Sequence, residues 1–235
     1  GAEEYPLPPP SSSRSLNEAI HQKKPGNRII AEIKYASPSA GIIRRGGDPA
    51  GFARDFARAG ATALSVLTEP YYFHGDAAFL PAIRPHVDLP LLRKDFIIDE
   101  RQLAESRALA ADAVLLIAGV LGDQLGDMVD LAFAYGLEPL VEVHAAHEVQ
   151  EVLSTGTRLA GINNRDLRTF RIDLGTTMKL SPLLREGGIT VVSESGILWP
   201  YDIRILRPSA DAFLVGSTIM RAQNPGQRLE GLIRG

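Results

Sequence analysis

Short apolar runs recur along this chain, separated by stretches whose apolar residues return every three or four positions. The runs fall at 28–34, 63–67, 89–94, 113–117, 138–144, 159–163, 189–193 and 212–215. They are nearly continuous rather than alternating, the pattern of strands covered on both faces in a parallel sheet. The stretches between them predict helices. Asp48-Pro49 is a cap followed by a first-turn proline, Phe52, Phe56 and Ala59 give an apolar stripe, and Gly60 stops the helix. Similar signals predict helices at 79–83, 99–110, 122–135, 146–153, 181–185, 200–206 and 228–233, and Ser15 with Glu18 predicts a capping box on a short helix at 16–21. Eight strands with mostly helical connections in one chain of this length predict a (β/α)8 barrel. The barrel domain is expected over 28–235, preceded by an arm and short helix over 1–27. An open doubly wound sheet is the rival, but no Gly-x-Gly-x-x-Gly follows the first strand.

Composition narrows the classes. The 235 residues are 45% hydrophobic with a formal net charge of −3, which suits a globular domain with a sizeable core and argues against general nucleic-acid binding. Cysteine is absent, so disulfides and thiolate chemistry are excluded, and the 5 histidines form no ligand cluster. No metal or cofactor is called for. No uncharged apolar run reaches membrane-spanning length and no basic-then-apolar leader opens the chain, so a cytoplasmic protein without membrane partners is expected.

The polar exceptions inside the apolar runs carry the chemistry. Glu32 and Lys34 sit two apart in the first strand, hence on one face, where burial needs a partner or a function. An ion pair on an edge strand is the plainer alternative. Lys94 ends the third strand with Phe96 two positions on; it either pairs with Asp95 or faces a site. Glu142 lies between Val141 and Val143 and so points opposite to them, toward the barrel axis. Asn163 and Arg165 follow the sixth strand, Glu194-Ser195-Gly196 the seventh and Gly216-Ser217 the eighth. In a barrel these strand ends converge. Gly196 and Gly216 let backbone approach closely, either for tight turns or to cradle an anion, and the ends of strands seven and eight are a common phosphate position. Several cations and three glutamates around one pocket point to an anionic substrate and general acid–base chemistry. Lys94 is the best acid, its pKa expected to fall toward neutral through burial or cationic neighbours; a Schiff-base role is the alternative. Phe73, Phe96 and Leu116 are candidate walls for an aromatic group, although Phe73 equally suits loop packing.

Taken together, Ala31-Glu32-Ile33-Lys34 with Ser37-Pro38-Ser39, Ser65-Val66-Leu67-Thr68 with Phe73 and Gly75, Leu91-Leu92-Arg93-Lys94-Asp95-Phe96, Leu140-Val141-Glu142-Val143, Gly161-Ile162-Asn163-Asn164-Arg165-Asp166-Leu167, Ser193-Glu194-Ser195-Gly196-Ile197 and Leu214-Val215-Gly216-Ser217 resemble the indole-3-glycerol phosphate synthase family. The resemblance implies a phosphate-binding barrel enzyme of tryptophan biosynthesis. It would act on 1-(2-carboxyphenylamino)-1-deoxyribulose 5-phosphate without a cofactor, as a monomer, releasing carbon dioxide and water. It implies Lys94 as general acid at the substrate ketone, Lys34 at the carboxylate, and Glu142 or Lys34 as acid in the dehydration. Glu32 would aid proton removal. Asn163 would position the anthranilate part, Arg165 would support the carboxylate, and Glu194 and Ser195 would lie by the ribulose chain. Gly196, Gly216 and Ser217 would bind phosphate, with Ser37 among the binding residues and Phe96, Leu116 and Leu214 as apolar walls. A related barrel, such as phosphoribosylanthranilate isomerase, or a non-catalytic sugar-phosphate binder is the competing reading. Three features depart from the family pattern. Tyr35 stands where many members carry Arg, implying weaker anion attraction at the mouth. The segment ahead of the first strand is short, implying reduced cover or a trimmed N-terminus. Pro70 implies a stiffer loop after the second strand.

Overall fold

Every apolar run becomes a strand, and the strands close on themselves in the computed structural model, which describes residues 14–235. They are β1 (Ile29–Ile33), β2 (Ala63–Leu67), β3 (Leu91–Lys94), β4 (Ala113–Ile117), β5 (Glu138–Val143), β6 (Leu159–Asn163), β7 (Thr190–Glu194) and β8 (Ala212–Val215). All neighbours pair in parallel, in sequence order, and β1 completes the ring by pairing with both β2 and β8. Closure leaves no strand edge, so the open sheet and the edge-strand ion pair are both overturned. The helices are α1 (Leu16–His21), α2 (Pro49–Ala59), α3 (Phe79–Ile83), α4 (Glu100–Ala108), α5 (Ala118–Leu121), α6 (Leu125–Ala134), α7 (Ala146–Leu153), α8 (Gly175–Glu186), α9 (Pro200–Leu206), α10 (Ser217–Met220) and α11 (Pro225–Arg234). No described helix is long and apolar enough to cross a membrane.

Two apolar layers follow from the period of two along each strand. Outward residues such as Ile29, Ile33, Leu64, Val66, Val114 and Leu116 pack under the helices. Inward residues such as Ile30, Leu92, Leu115, Leu140, Leu159 and Val192 fill the barrel. Two elements escaped the sequence pattern. Helix α8 starts at Gly175 rather than 181 because half of its buried face is Thr177 and Ser181, which do not register as apolar. The loop after β1 folds into a two-residue hairpin, Ala36–Ser37 against Gly41–Ile42, too short to carry a period.

Helix α1 packs against the barrel floor. Its Leu16 and Ile20 belong to the interior cluster, plugging the end opposite the strand C-termini. Glu138, at the start of β5, holds the helix there. It accepts hydrogen bonds from Ser15 Oγ and from the backbone N–H groups of Leu16 and Asn17, the free donors of a helix start. Residues 1–13 of the expected arm lie outside the described residues. Leu16→Ala empties a fully buried site and should lower unfolding free energy by about 2–5 kcal/mol in urea titration, with kcat close to wild type because this floor is remote from the pocket.

Candidate active site

The C-terminal strand ends enclose a cavity of about 840 Å³. Strand parity decides what enters it. Glu32 and Lys34 from β1, Lys94 from β3, Glu142 from β5, Asn163 from β6 and Glu194 from β7 all line this one space. The three glutamates are buried. Lys94 Nζ donates to Glu194 Oε2 at 2.7 Å and to Glu142 Oε2 at 3.1 Å, while Lys34 Nζ lies 2.6 Å from Glu32 Oε2. Asn163 Nδ2 donates to Glu142 Oε1 at 3.1 Å. Lys94 therefore does not pair with Asp95. Arg93 points outward and takes Asp95 at 3.0 Å, and Thr68 Oγ1 donates to the same carboxylate at 2.6 Å.

These contacts reverse one expectation. Burial alone lowers a lysine pKa, but Glu194, Glu142 and Glu32 together raise that of Lys94 above its ordinary value. Its neighbours are carboxylates rather than cations, so it is held as an ammonium instead of tuned toward neutrality. The carboxylates divide. Burial pushes Glu194 up to about 8, with Glu142 and Glu32 adding to the shift against Lys94. Its Oε1 is buried without a hydrogen-bond partner, a position that tolerates a proton better than a charge. Burial also acts to raise Glu142, but Lys94, His144 and Asn163 outweigh it and lower its pKa. The cluster thus sets an ammonium between Glu194, biased toward its protonated form, and Glu142, biased toward its ionised form.

Beyond the cluster the cavity has two unlike sides. Phe73, Phe96, Leu115 and Ile117 line the side of β2 to β4, with the rings of Phe73 and Phe96 tilted and 6.3 Å apart. Glu69 shapes the loop that presents Phe73 by accepting from the N–H groups of Tyr71, Tyr72 and Phe73. Across the barrel, Ser195, Gly196, Leu214, Gly216 and Ser217 line the side of β7 and β8. Ser195 and Gly196 have φ of +65° and +88°, turning the chain sharply there. Asn164 braces the turn: its Nδ2 donates to Ser195 O and Ser193 Oγ, and its Oδ1 accepts from Thr177. Ser37 and Arg165 also line the cavity. Arg165 donates to Phe170 O, has no carboxylate partner among the described residues, and burial lowers its pKa.

Two readings of the sequence are corrected. Leu116 is fully buried but points outward into the layer under the helices; its neighbours Leu115 and Ile117 face the cavity. A uniformly apolar strand offers no polar residue to reveal which parity is inward. Tyr35 does not stand at the mouth. It packs against Phe52 and Phe79 and donates to Gly47 O, so its replacement of a charge has no direct access to the pocket. Leu167 and Phe170 line the cavity unforeseen, from a loop with no period to read. Gly161 also went unread. A side-chain carbon there would collide with Glu194 Oε1, and a glycine inside a strand is the available signal for such close approach. Gly216 abuts Glu32 in the same way, so a side chain at 216 would displace Glu32 as well as narrow that side of the pocket. No group of three or more His, Asp and Glu among the described residues is placed to hold a metal ion.

Fold and site together define a (β/α)8-barrel enzyme with a carboxylate–ammonium cluster set between an apolar wall and a pair of glycine turns. The family model described as Indole-3-glycerol phosphate synthase matches residues 5–232. Proteins of that name from Carboxydothermus hydrogenoformans and Bordetella pertussis are 45% and 47% identical over 223 residues, spanning 93% and 94% of this chain and 84% of each relative. The chain belongs to the indole-3-glycerol phosphate synthase family. Among solved structures, 3-hexulose-6-phosphate synthase superposes with a TM-score of 0.68 at 16% identity, covering 87% of this chain and 97% of that one. KGPDC from Streptococcus mutans superposes with a TM-score of 0.67 at 13% identity, covering 88% of this chain and 95% of that one. At these identities the likeness is one of fold.

Proposed function

We propose that this protein closes the indole ring of 1-(2-carboxyphenylamino)-1-deoxyribulose 5-phosphate, giving indole-3-glycerol phosphate, carbon dioxide and water. The observation that carries this reading is an ammonium, Lys94, fixed between two carboxyls in a cavity with an apolar side and a glycine side opposite. Phe73, Phe96, Leu115 and Ile117 take the aromatic ring. Gly196, Gly216 and Ser217 take the phosphate through backbone N–H groups, including the unpaired leading donors of α10. Lys34 and Arg165 hold the ring carboxylate.

The steps then follow. The ring carbon bearing the carboxylate bonds to the keto carbon, and the carbonyl oxygen takes a proton from Lys94 as charge develops on it. The carbon–carboxylate bond breaks, carbon dioxide leaves, and its electron pair returns to the ring. Glu142 gives a proton to the departing hydroxyl, which leaves as water, and Glu32 assists loss of the last proton. The line Glu194–Lys94–Glu142 offers a path by which a proton stored on Glu194 reaches Glu142. A Schiff base needs a free amine, which the surrounding carboxylates disfavour. A degenerate binder would lack one of these groups, yet Glu32, Lys34, Lys94, Glu142, Asn163 and Glu194 all line one cavity.

The test is a fluorescence assay for indole-3-glycerol phosphate formed from the synthetic substrate, with no metal or cofactor added. Turnover is expected. Binding of the product without any turnover would overturn the catalytic reading and leave a sugar-phosphate binder.

A further inference from the structure

His144 follows β5 two residues beyond Glu142 and is not among the residues that line the cavity. Its side chain nevertheless reaches the catalytic cluster. Nε2 is buried, lies 3.3 Å from Glu142 Oε1, and makes no hydrogen bond. On the other side, Nδ1 lies 3.9 Å from Glu148 Oε2. Glu148, on α7, is itself anchored: its Oε2 accepts from the backbone N–H groups of His144 and Ala145, and a side-chain carbon at Gly119 would collide with its Oε1. The histidine is therefore held between a fixed carboxylate and Glu142. An unpartnered buried ring nitrogen normally costs stability. Here a small rotation of either side chain turns the contact into a hydrogen bond on the Glu142 oxygen that Asn163 also holds.

We propose that His144 is a positioning residue for the ring-closing reaction, fixing the Glu142 carboxylate without itself lining the cavity. Glu142 has two oxygens and three tasks: to bind Lys94, to bind Asn163 and to present a proton to the departing hydroxyl. With Oε1 hydrogen-bonded by Asn163 and flanked by His144 at 3.3 Å, Oε2 keeps its orientation toward Lys94 when substrate arrives. The charged groups facing this unit are Lys94 from β3, Glu194 from β7 and Glu32 from β1 on the cavity side, and Glu148 from α7 behind. Burial and the groups around Glu142 act on its charge in opposite directions, so removing one of the groups that oppose burial should show in its titration. The kinetic part of this inference rests on the role proposed above for Glu142; the contact itself does not.

The experiment compares His144→Leu and His144→Gln with wild type. Glutamine reaches as far as Nε2 and keeps an N–H donor, whereas leucine fills the space without one. In H144L, kcat should fall roughly tenfold while KM changes less than about twofold, because what is lost is orientation of a reacting group. In 13Cδ-glutamate NMR without substrate, Glu142, assigned by its absence in E142Q, should titrate roughly half a pH unit higher or more in H144L. H144Q should restore most of kcat and return the titration toward wild type. An unmoved Glu142 titration in H144L would overturn the inference, as would equal damage in both variants accompanied by a lower Tm, the mark of a packing role. Full activity in E142Q defeats instead the role given to Glu142, and the kinetic half of the inference with it.

Discussion

Lys94→Met should lower kcat by about three orders of magnitude, within the 10²–10⁴-fold range of a positioned acid, and leave affinity for the phosphorylated product within about threefold. Methionine keeps much of the volume and loses the charge, so the cavity walls and the glycine turns of β7 and β8 stay as they are. What disappears is the one cation among the described residues in contact with both Glu142 and Glu194. Two effects then add. The developing charge on the substrate oxygen loses its proton donor, a transition-state interaction that appears in kcat rather than in ground-state binding. The two carboxyls lose their shared counter-ion, and buried carboxyls without one take up protons. Steady-state kinetics with circular dichroism and product titration separate these from misfolding. A variant with near-wild-type kcat would remove Lys94 from the chemistry and require another donor at the ketone.

Gly161→Ala should cost about 10²-fold in kcat and about 1–3 kcal/mol in stability, although residue 161 is not among those that line the cavity. Its backbone is one that alanine adopts freely, so strain in the chain is not the cause. The new methyl group would occupy the place of the Glu194 Oε1 and crowd Cδ at 3.1 Å. Glu194 would have to swing away from Lys94, breaking the 2.7 Å contact and with it the path proposed to bring protons to Glu142. Shortening the displaced side chain should relieve the collision. G161A combined with Glu194→Asp is therefore expected to be more stable than G161A alone, a positive coupling in a double-mutant cycle. Additive losses would show that Gly161 acts on stability by another route, and unchanged kcat in G161A would show that Glu194 has room the contact distances deny.

Much of this was written in the order of residues. Alternation within a strand placed Glu32 with Lys34 and set Glu142 apart from its valines, and the eight apolar runs announced the barrel whose strand ends would bring them together. Local rules also placed caps and stops, because a cap such as Asp48 or a left-handed Gly60 is a matter of a few neighbouring atoms. Other features depend on what lies across the barrel. In Ala113–Ile117 every residue is apolar, so only the closed register decided that Leu115 and Ile117 face the cavity and Leu116 the helices. Tyr35 leaves the first strand beside the pocket, but a space between Phe52 and Phe79 draws it into the outer layer. The charge state of Lys94 was beyond any local reading. Its sequence neighbour Asp95 goes to Arg93, while the groups that hold it protonated come from positions 48 and 100 residues away. Sequence alone determined which side chains could share a face, since that follows from backbone geometry. Only the tertiary structure decided which of them meet, because electrostatics and close packing act through space between strands that the chain itself keeps far apart.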